Sequence, residues 1–407
     1  MAGRVFITVA EVSGDKHAAQ LIRSLKSLDS ELIIEGLGGP EMAAAGAIIH
    51  RDTVADAAMG WHGALRAFEV VSALRWARKH FETNRPDLQI GVDSPSMNFH
   101  FARVAHRCGI PVLQYVAPQL WAWAPWRMKK LKRWVDQVAC ILPFEEAYFR
   151  GHGVNATFVG HPLFDQLPRD VGGDRERFPR RPPVIGLLPG SRRSEAAHNF
   201  AHLLDVADRI HREFPQASFV VPTTPATDPV VRQMATNSTA RLPIEIGLDR
   251  FDQMVPGCDL CLTVSGTATL HVAGLGVPMI VVYRVSPITW NLGARWIVRT
   301  RTFALVNVLS TRACGEGNGG HVVPEFVPWY GSNEPLAAAA LELLRHPEKL
   351  EEQRGRLRQI VQTLDRQGAS LRTAQLALEM IRARSASEPP IGRTFTKPAP
   401  PSRQSDP

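Results

Sequence analysis

Two turns in the second half of the chain carry residues suited to binding an anion. Ser265–Thr267 lies between the apolar strand Leu260–Val264 and a helix of small residues. The first N–H groups of such a helix are unpaired at the positive end of its dipole, which favours a phosphate or diphosphate. In Pro189–Arg193 a glycine permits a tight turn, and Arg192 offers a forked guanidinium to a phosphate. The Ser265–Thr267 turn could instead be an ordinary strand-to-helix connection with a capping residue.

Short apolar runs that alternate with helical segments must position these turns. In the first half the runs are Val5–Val9, Leu32–Leu37, Leu88–Val92, Val112–Val116 and Gln137–Leu142. In the second half they are Val184–Leu188, Ser218–Val221, Ile244–Ile246, Leu260–Val264 and Met279–Val282. This alternation predicts parallel, doubly wound sheets. The predicted fold class is therefore α/β, with two tandem Rossmann-like domains and a ligand cleft between the carboxyl ends of their sheets.

Composition sets the expected domain boundaries. Residues 1–163 form the first domain, and residues 164–183, rich in proline, glycine and charge, form the linker. Residues 184–335 form the second domain. Residues 336–384 carry Ala, Leu, Glu and Arg at helical spacing and predict C-terminal helices. The proline-rich residues 385–407 lack a sizeable apolar cluster and predict a disordered tail.

Charge and cysteine content narrow the class of protein. The 407 residues include 47 Lys and Arg against 39 Asp and Glu, and the net charge of +8 suits an anionic substrate, nucleic acid or membrane surface. No apolar run is long enough to span a membrane, and the N-terminus lacks the layout of a signal peptide, so a cytoplasmic location is expected. Cys258 and Cys261 have C-x-x-C spacing without a second ligand pair for zinc, so we predict core cysteines.

Two stretches mix tryptophans with cations. They are Trp121–Trp134 and Gly60–Phe81. A basic helix with a Trp/Leu face can lie on an anionic membrane. The alternative is that both stretches are amphipathic helices that pack within the fold and expose their cations to water.

Short motifs occur in a consistent order from about Val5 to about Arg384. In the first domain they are Glu11-Val-Ser-Gly-Asp15, Gly38–Gly46, Met59-Gly60, Gly91–Pro95 with Asn98, Tyr115–Pro118 with Trp121–Trp123, Leu142–Glu145 and Val159–Leu163. In the second domain they are Leu188–Arg192 with Glu195, Ser265–Leu270, Gly276–Met279, Tyr283-Arg284, and Asn307 with Val323–Glu325. Together these motifs resemble the lipid-A-disaccharide synthase family, which are inverting GT-B glycosyltransferases.

The resemblance implies a reaction and its partners. UDP-2,3-diacylglucosamine gives its sugar to the 6-hydroxyl of 2,3-diacylglucosamine 1-phosphate (lipid X), so that a β-1,6 disaccharide forms with inversion and UDP leaves. No cofactor and no metal ion are implied, and the chain has no D-x-D motif. The implied location is peripheral, on the anionic inner face of the bacterial inner membrane. Nucleic acid has no part in the reaction, and a homo-oligomer is compatible with it.

The resemblance also implies roles for particular residues. Asp93, directly after Leu88–Val92, is the implied general base, and Arg192 is the implied cation that stabilises the leaving diphosphate. Expected donor-binding residues are Ser191, Arg193, Ser265, Gly266, Thr267, His271, Tyr283, Asn307 and Glu325. Expected acceptor-side residues are Glu11, Ser13, Gly14, Asp15 and Asn98. From position alone, Asp93 could cap the segment after its strand, and Ser13 or Asp15 could cap a helix.

His271 is the main departure from the family pattern, which normally has Glu after Ser-Gly-Thr-x-Thr-Leu. In GT-B enzymes that Glu commonly accepts hydrogen bonds from the ribose, whereas a neutral histidine accepts one bond and donates one. Ser96, Pro328, Ala10 and the glycine-rich Cys314–Gly320 also differ from the pattern. Three alternatives therefore stay open: a glycosyltransferase with altered substrates, a non-catalytic UDP-sugar-binding or membrane scaffold, and a UDP-N-acetylglucosamine 2-epimerase. The tryptophan-rich stretches disfavour the epimerase, because its substrates are soluble.

Overall fold

Two parallel sheets with helices on both faces make up the protein. The structure, a computed structural model, describes residues 3–54, 63–167, 176–284, 302–313, 320–364 and 367–387. Much of the predicted linker, nearly all of the Cys314–Gly320 segment, and the predicted tail from residue 388 onward lie outside these ranges. The predicted α/β class with two doubly wound sheets is confirmed.

The first sheet has seven parallel strands in the order β3-β2-β1-β4-β5-β6-β7. They are β1 (Arg4–Thr8), β2 (Ile33–Gly38), β3 (Ile48–Asp52), β4 (Leu88–Val92), β5 (Val112–Tyr115), β6 (Gln137–Cys140) and β7 (Ala156–Phe158). The central strands are almost entirely buried because helices cover both faces. In β1, Ile7 packs toward one layer of the core, and its neighbour Phe6 packs toward the other.

The second sheet has six parallel strands in the order β10-β9-β8-β11-β12-β13. They are β8 (Val184–Leu188), β9 (Ser218–Thr223), β10 (Ile244–Leu248), β11 (Leu260–Val264), β12 (Met279–Arg284) and β13 (Glu325–Trp329). Cys258 and Cys261 are buried, in agreement with the predicted core role. Every strand predicted from the sequence is present, and three further strands (β3, β7 and β13) were not predicted.

Fourteen helices lie within the described ranges. In the first domain they are α1 (Val12–Leu28), α2 (Pro40–Ala44), α3 (Gly63–Thr83), α4 (Pro95–Arg107), α5 (Met128–Trp134) and α6 (Pro143–Gly151). The others are α7 (Arg193–Glu213), α8 (Asp228–Thr236), α9 (Phe251–Met254), α10 (Thr267–Gly274), α11 (Leu305–Ala313), α12 (Glu334–Arg345), α13 (Pro347–Leu364) and α14 (Ala369–Ser387). None of the described helices is long and apolar enough to cross a bilayer.

The last helix returns to the first domain. α14 packs against α1, and its first turn is capped by Asp165, which lies 203 residues before Gly368 in the chain. The Asp165 carboxylate accepts hydrogen bonds from the N–H groups of Gly368, Ala369 and Ser370 at 2.7, 3.1 and 3.0 Å. Three orphan donors of a helix start are thereby satisfied. The C-terminal helices therefore join the two sheets rather than extending only the second.

Candidate active site

Asp93 lies where β4 ends, in a backbone conformation that most residues avoid. Its φ of +52° is in the left-handed region, which aspartate tolerates better than most side chains. Its N–H donates to the carbonyl of Tyr115 at 3.0 Å. Its own carbonyl accepts from Asn98 Nδ2 at 2.7 Å and from Gln114 Nε2 at 3.2 Å. The backbone of the predicted base is thus held from three sides.

Asn98 has a different role from the predicted acceptor contact. The side chain is fully buried on α4, and Nδ2 also donates to the carbonyl of Val92 at 2.9 Å. Its Oδ1 accepts from Thr8 Oγ1 at 2.8 Å, and Thr8 in turn accepts from Gln89 Nε2 at 3.0 Å. Both polar atoms of the Asn98 side chain are thus bonded within the protein, and Asn98 holds the backbone of Asp93 in place.

The first strand-to-helix turn contributes one charged group to the site. Glu11 is partly exposed and Ser13 is exposed, whereas Gly14 and Asp15 are buried. A Cβ on Gly14 would lie 3.0 Å from Val9 Cγ1 and 3.8 Å from Asp93 Cβ, so the glycine lets α1 approach the end of β4.

Asp15 caps α2 rather than α1, the helix in which it lies and which its position suggested it could cap. Its carboxylate accepts from the N–H groups of Gly39, Glu41 and Met42 at 3.0, 3.0 and 3.2 Å at the start of α2. These three bonds engage both carboxylate oxygens in the interior. Of the four predicted acceptor-side residues in this turn, only Glu11 and Ser13 reach solvent.

Arg192 joins the two domains across the cleft. One guanidinium nitrogen lies 2.9 Å from Glu11 Oε2, and another lies 3.0 Å from Glu195 Oε1. Glu11 follows β1 of the first sheet, while Arg192 follows β8 of the second. The carboxyl edges of the two sheets therefore face each other at this contact, where ligands of such sheets bind.

The charges at this contact act on Asp93. Burial raises the pKa of the Asp93 carboxyl, and the nearby Glu11 raises it further. A hydrogen bond from the Ser94 N–H and the charge of Arg192 oppose that rise. A carboxylate with a raised pKa is a stronger base, which suits the removal of a proton from a hydroxyl.

The two predicted anion-binding turns lie side by side. β8 and β11 are neighbours, and the register pairs Leu188 with Thr263, so the turns that follow them meet at the same edge. Ser191, Arg193 and Gly266 are exposed there. Gly266 has a φ of +152°, and a Cβ would meet no atom within 4 Å, so backbone conformation rather than space favours glycine.

Three further donor-site candidates lie in or next to these turns. Ser265 is partly buried and its N–H donates to the carbonyl of Val282 at 3.1 Å, while Thr267 begins α10. Tyr283 is partly buried at the end of β12, and its pKa is raised by burial and by Glu195 and lowered by Arg192. Tyr283 therefore lies near the charged groups of the Pro189–Arg193 turn.

Asn307 is buried and already fully hydrogen-bonded, unlike the donor contact that was predicted. Its Oδ1 accepts from the N–H groups of Val322 and Val323 at 2.8 and 3.0 Å. Its Nδ2 donates to the carbonyl of Val323 and to Glu325 Oε2, both at 3.0 Å. Asn307 thus orients Glu325, which is partly buried at the start of β13 and keeps unused acceptor capacity.

His271 is engaged by the second domain itself. Its Nε2 lies 2.6 Å from Asp252 Oδ1, and its ring lies over Phe251 with centroids 4.4 Å apart. Burial lowers the pKa of His271, and Lys16 adds to this effect, while Asp252 opposes it. Asp252 thus brings a carboxylate next to the position where the family pattern has Glu.

One residue that contacts the other domain across the cleft was not predicted from the sequence. The guanidinium of Arg312, on α11, lies 4.3 Å from the ring centroid of Phe144 and 5.0 Å from that of Trp121 in the first domain. Trp121 donates from Nε1 to the buried Glu145 at 3.0 Å. Nothing in the sequence separates Arg312 from other exposed arginines, because its partners lie far away in the chain.

Comparison with known proteins agrees with this architecture. The family model for lipid-A-disaccharide synthetase matches residues 5–380. The chain belongs to the lipid-A-disaccharide synthase family. A lipid-A-disaccharide synthase of Geobacter sulfurreducens is 36% identical over 384 residues, 93% of this chain and 97% of that protein. One of Nitrosococcus oceani is 34% identical over 389 residues, 93% of this chain and 96% of that protein.

Solved structures show the same fold at low sequence identity. Acinetobacter baumannii MurG has a TM-score of 0.54 at 14% identity, over 93% of this chain and 99% of that one. A Neisseria meningitidis UDP-GlcNAc 2-epimerase bound to UDP-GlcNAc has a TM-score of 0.60 at 13% identity, over 94% and 100%. The predicted GT-B fold, family and glycosyltransferase class are confirmed.

Proposed function

We propose that the protein makes the lipid A disaccharide with Asp93 as the general base and Arg192 as the main cation on the leaving diphosphate. The donor is UDP-2,3-diacylglucosamine, and the acceptor is 2,3-diacylglucosamine 1-phosphate. Family membership assigns the activity, and the cross-cleft contact between Arg192 and Glu11 next to Asp93 supports these roles. That contact brings a base and a diphosphate-binding cation to one cleft.

The proposed mechanism is a single displacement with inversion. Asp93 accepts the proton of the acceptor 6-hydroxyl while that oxygen forms a bond to the anomeric carbon of the donor. The bond from the anomeric carbon to the diphosphate oxygen breaks, and UDP leaves with the electron pair. Arg192, Arg193 and the N–H groups of Gly266 and Thr267 then face the charge that develops on the diphosphate. Each of these groups precedes or begins a helix, where backbone N–H groups are available.

The remaining donor-site residues have supporting roles in this proposal. Ser191, Tyr283 and Glu325 border the same edge of the second sheet and contact the nucleotide sugar, while Asn307 orients Glu325. His271 and Asp252 stand together where the ribose hydroxyls are expected, so the donor meets a histidine–carboxylate pair there. Glu11 and Ser13 face the acceptor.

The decisive test uses Asp93→Asn with purified protein and both acylated substrates. Asparagine tolerates the left-handed backbone, so the variant keeps the fold but loses the base, and turnover is expected to fall at least about 10²-fold. Asp249→Asn is the matched control, because Asp249 also follows a strand with a φ of +53°. Turnover that is unchanged in Asp93→Asn removes Asp93 from the mechanism. Intact UDP binding without turnover in the native protein favours the non-catalytic scaffold.

We infer that the enzyme contacts an anionic membrane, at the inner face of the inner membrane, through the surface around Trp123 and Trp126. Trp126 is 57% exposed, and the cations Lys129, Lys130, Lys132 and Arg133 of α5 are exposed next to it. Membrane attraction of about 1 kcal/mol per basic residue makes this cluster a plausible anchor for a peripheral enzyme. The other stretch is less suited, since Trp76 packs against His50 and His80.

Vesicle sedimentation tests the membrane contact. Vesicles with anionic lipid are expected to retain the native protein, whereas zwitterionic vesicles are not. Lys129→Glu with Lys130→Glu should reduce retention, and Arg209→Glu, on an exposed face of the second domain, should not. Equal retention of all three proteins would remove this surface from the proposal.

A further inference from the structure

A side-chain cluster outside the cleft combines a buried carboxylate with two imidazoles. Glu35 on β2, His50 on β3 and His80 on α3 each offer a ligand atom, and these atoms lie within 4.8 Å of one another. His50 Nε2 lies 3.0 Å from Glu35 Oε2, and His80 Nε2 lies 2.9 Å from Glu35 Oε1. Within the described ranges no other group of three or more His, Cys, Asp or Glu side chains converges in this way.

We propose that Glu35, His50 and His80 form a binding site for one divalent transition-metal ion that ties α3 to the edge of the first sheet. Two imidazoles and one carboxylate on one side of an ion suit Zn²⁺, Ni²⁺, Co²⁺ or Fe²⁺ and leave positions for water. The site is structural. Glu35 and Arg4 lie toward the amino ends of their strands, whereas Asp93 and Glu11 follow the carboxyl ends.

The ligands are held in place before any ion binds. Trp76 stacks on His80 with centroids 4.8 Å apart and an angle of 17°, and it also contacts the ring of His50 at 4.8 Å. The ring of Phe6 also packs near His80, with centroids 5.7 Å apart. Rings fixed by packing bind a metal with little loss of side-chain freedom.

The carboxylate is ready to act as a ligand, and the site is open to solvent on one side. The Glu35 oxygens already lie within hydrogen-bond distance of His80, His50 and Arg4, so the carboxylate is held facing both imidazoles. The His50 side chain is 26% exposed, which provides an entry path. When the ion binds, each Nε2 presents its lone pair, and a proton held there moves to Nδ1 or to solvent.

Arg4 is a cation that competes with the metal ion for Glu35, so removing Arg4 and removing a histidine should change metal affinity in opposite directions. Its guanidinium lies 3.2 Å from Glu35 Oε1, on the same oxygen that faces His80. A bound dication would be repelled by that charge. Replacing Arg4 by Gln should therefore tighten metal binding, while replacing either histidine should weaken it. A cluster that only forms ion pairs would show no metal binding and no such opposite effects.

The test is titration of the chelator-treated full chain with Zn²⁺ by calorimetry, with Co²⁺ absorption as a report on coordination. The native protein should bind one ion per chain at this site. His50→Gln and His80→Gln, which keep a polar contact to Glu35, should lose at least about 10-fold in affinity, and Arg4→Gln should gain affinity. Circular dichroism shows whether each variant is folded. If His80→Gln does not fold, His50→Gln and Arg4→Gln still decide the question.

His202→Ala is the matched control. His198 and His202 lie one turn apart on α7 and form another pair of histidines, with ring centroids 6.5 Å apart. Affinity should be unchanged in this variant. No saturable binding to the native protein overturns the proposal. Binding that is lost in His202→Ala and kept in His50→Gln also overturns it, because the ion would then lie on α7.

Discussion

Replacing Arg192 by Ala separates the catalytic role of this residue from its part in holding the domains together. The side chain is 63% exposed, and its ion pairs with Glu11 and Glu195 are correspondingly solvated. Each exposed pair contributes about 0–1 kcal/mol, so the free energy of unfolding should fall by no more than about 2 kcal/mol. If Arg192 binds the leaving diphosphate, removing it should cost about 2.7–4 kcal/mol in the transition state, or about 10²–10³ in kcat. Catalysis should therefore be damaged much more than stability.

The assay for Arg192 combines sugar transfer from UDP-2,3-diacylglucosamine, UDP affinity and thermal unfolding. Arg345→Ala is the matched control, because Arg345 makes two exposed 2.7 Å contacts with Glu213 at the far end of α7. It should lose similar stability and keep its activity. Arg192→Lys should be intermediate, since an ammonium keeps the charge without the fork. A kcat for Arg192→Ala within about threefold of the native value would refute the role on the diphosphate.

Three further predictions concern the titratable groups. A general base works when ionised, so kcat/KM should fall as the pH drops through the raised pKa of Asp93. Because Glu11 raises that pKa, Glu11→Gln should shift this fall in kcat/KM to lower pH. A fall at the same pH in both proteins would exclude coupling between these carboxylates. Burial raises the pKa of Glu145 from 4.5 to about 7, so its stabilising contribution is complete below about pH 4.5 and is lost as pH rises through 7. In denaturant unfolding, the free energy of unfolding of the native protein should fall by up to about 3 kcal/mol between pH 4.5 and 7. That of Glu145→Gln should change less with pH. The same pH dependence in both proteins would contradict this prediction. His271→Glu places a second carboxylate next to Asp252 and should weaken UDP binding. Adding Asp252→Asn should restore UDP affinity in a double-mutant cycle. A gain in UDP affinity for His271→Glu alone would contradict this reasoning.

The sequence predicted the interior of both sheets well because buried parallel strands leave continuous apolar runs. The bounds of Leu88–Val92, Val184–Leu188 and Leu260–Val264 are as predicted. The three strands that were not predicted all lie at sheet edges. β3 alternates exposed and partly buried residues, and β13 contains Pro328, a residue that disfavours a strand except at an edge.

The tryptophan-rich stretch shows why burial could not be predicted from pattern. Trp121 is buried and donates a hydrogen bond to Glu145, whereas Trp126, five residues later, is largely exposed. No α-helix spans these residues, which run through an irregular segment into the 3₁₀ turn Pro125–Arg127, so helical spacing gives no information on which rings face outward. Packing therefore accounts for Trp121, and the membrane proposal concerns only exposed rings such as Trp126.

The family motifs contain two groups of residues: those that can contact a substrate, and those that hold the first group in place. Hydrogen bonds distinguish them, because side chains of the second group are fully bonded within the protein. Asp15, Asn98 and Asn307 are buried, and their polar atoms are bonded within the protein. Arg192 differs, because its partners are two carboxylates that a diphosphate can replace. A donor that takes over the guanidinium must compete with Glu11, which belongs to the other domain. If Arg192 binds the diphosphate as proposed, donor binding should weaken a contact between the domains and leave Glu11 unpaired next to Asp93. Because Glu11 raises the pKa of Asp93 and Arg192 lowers it, we expect Asp93 to become a stronger base once the donor is bound.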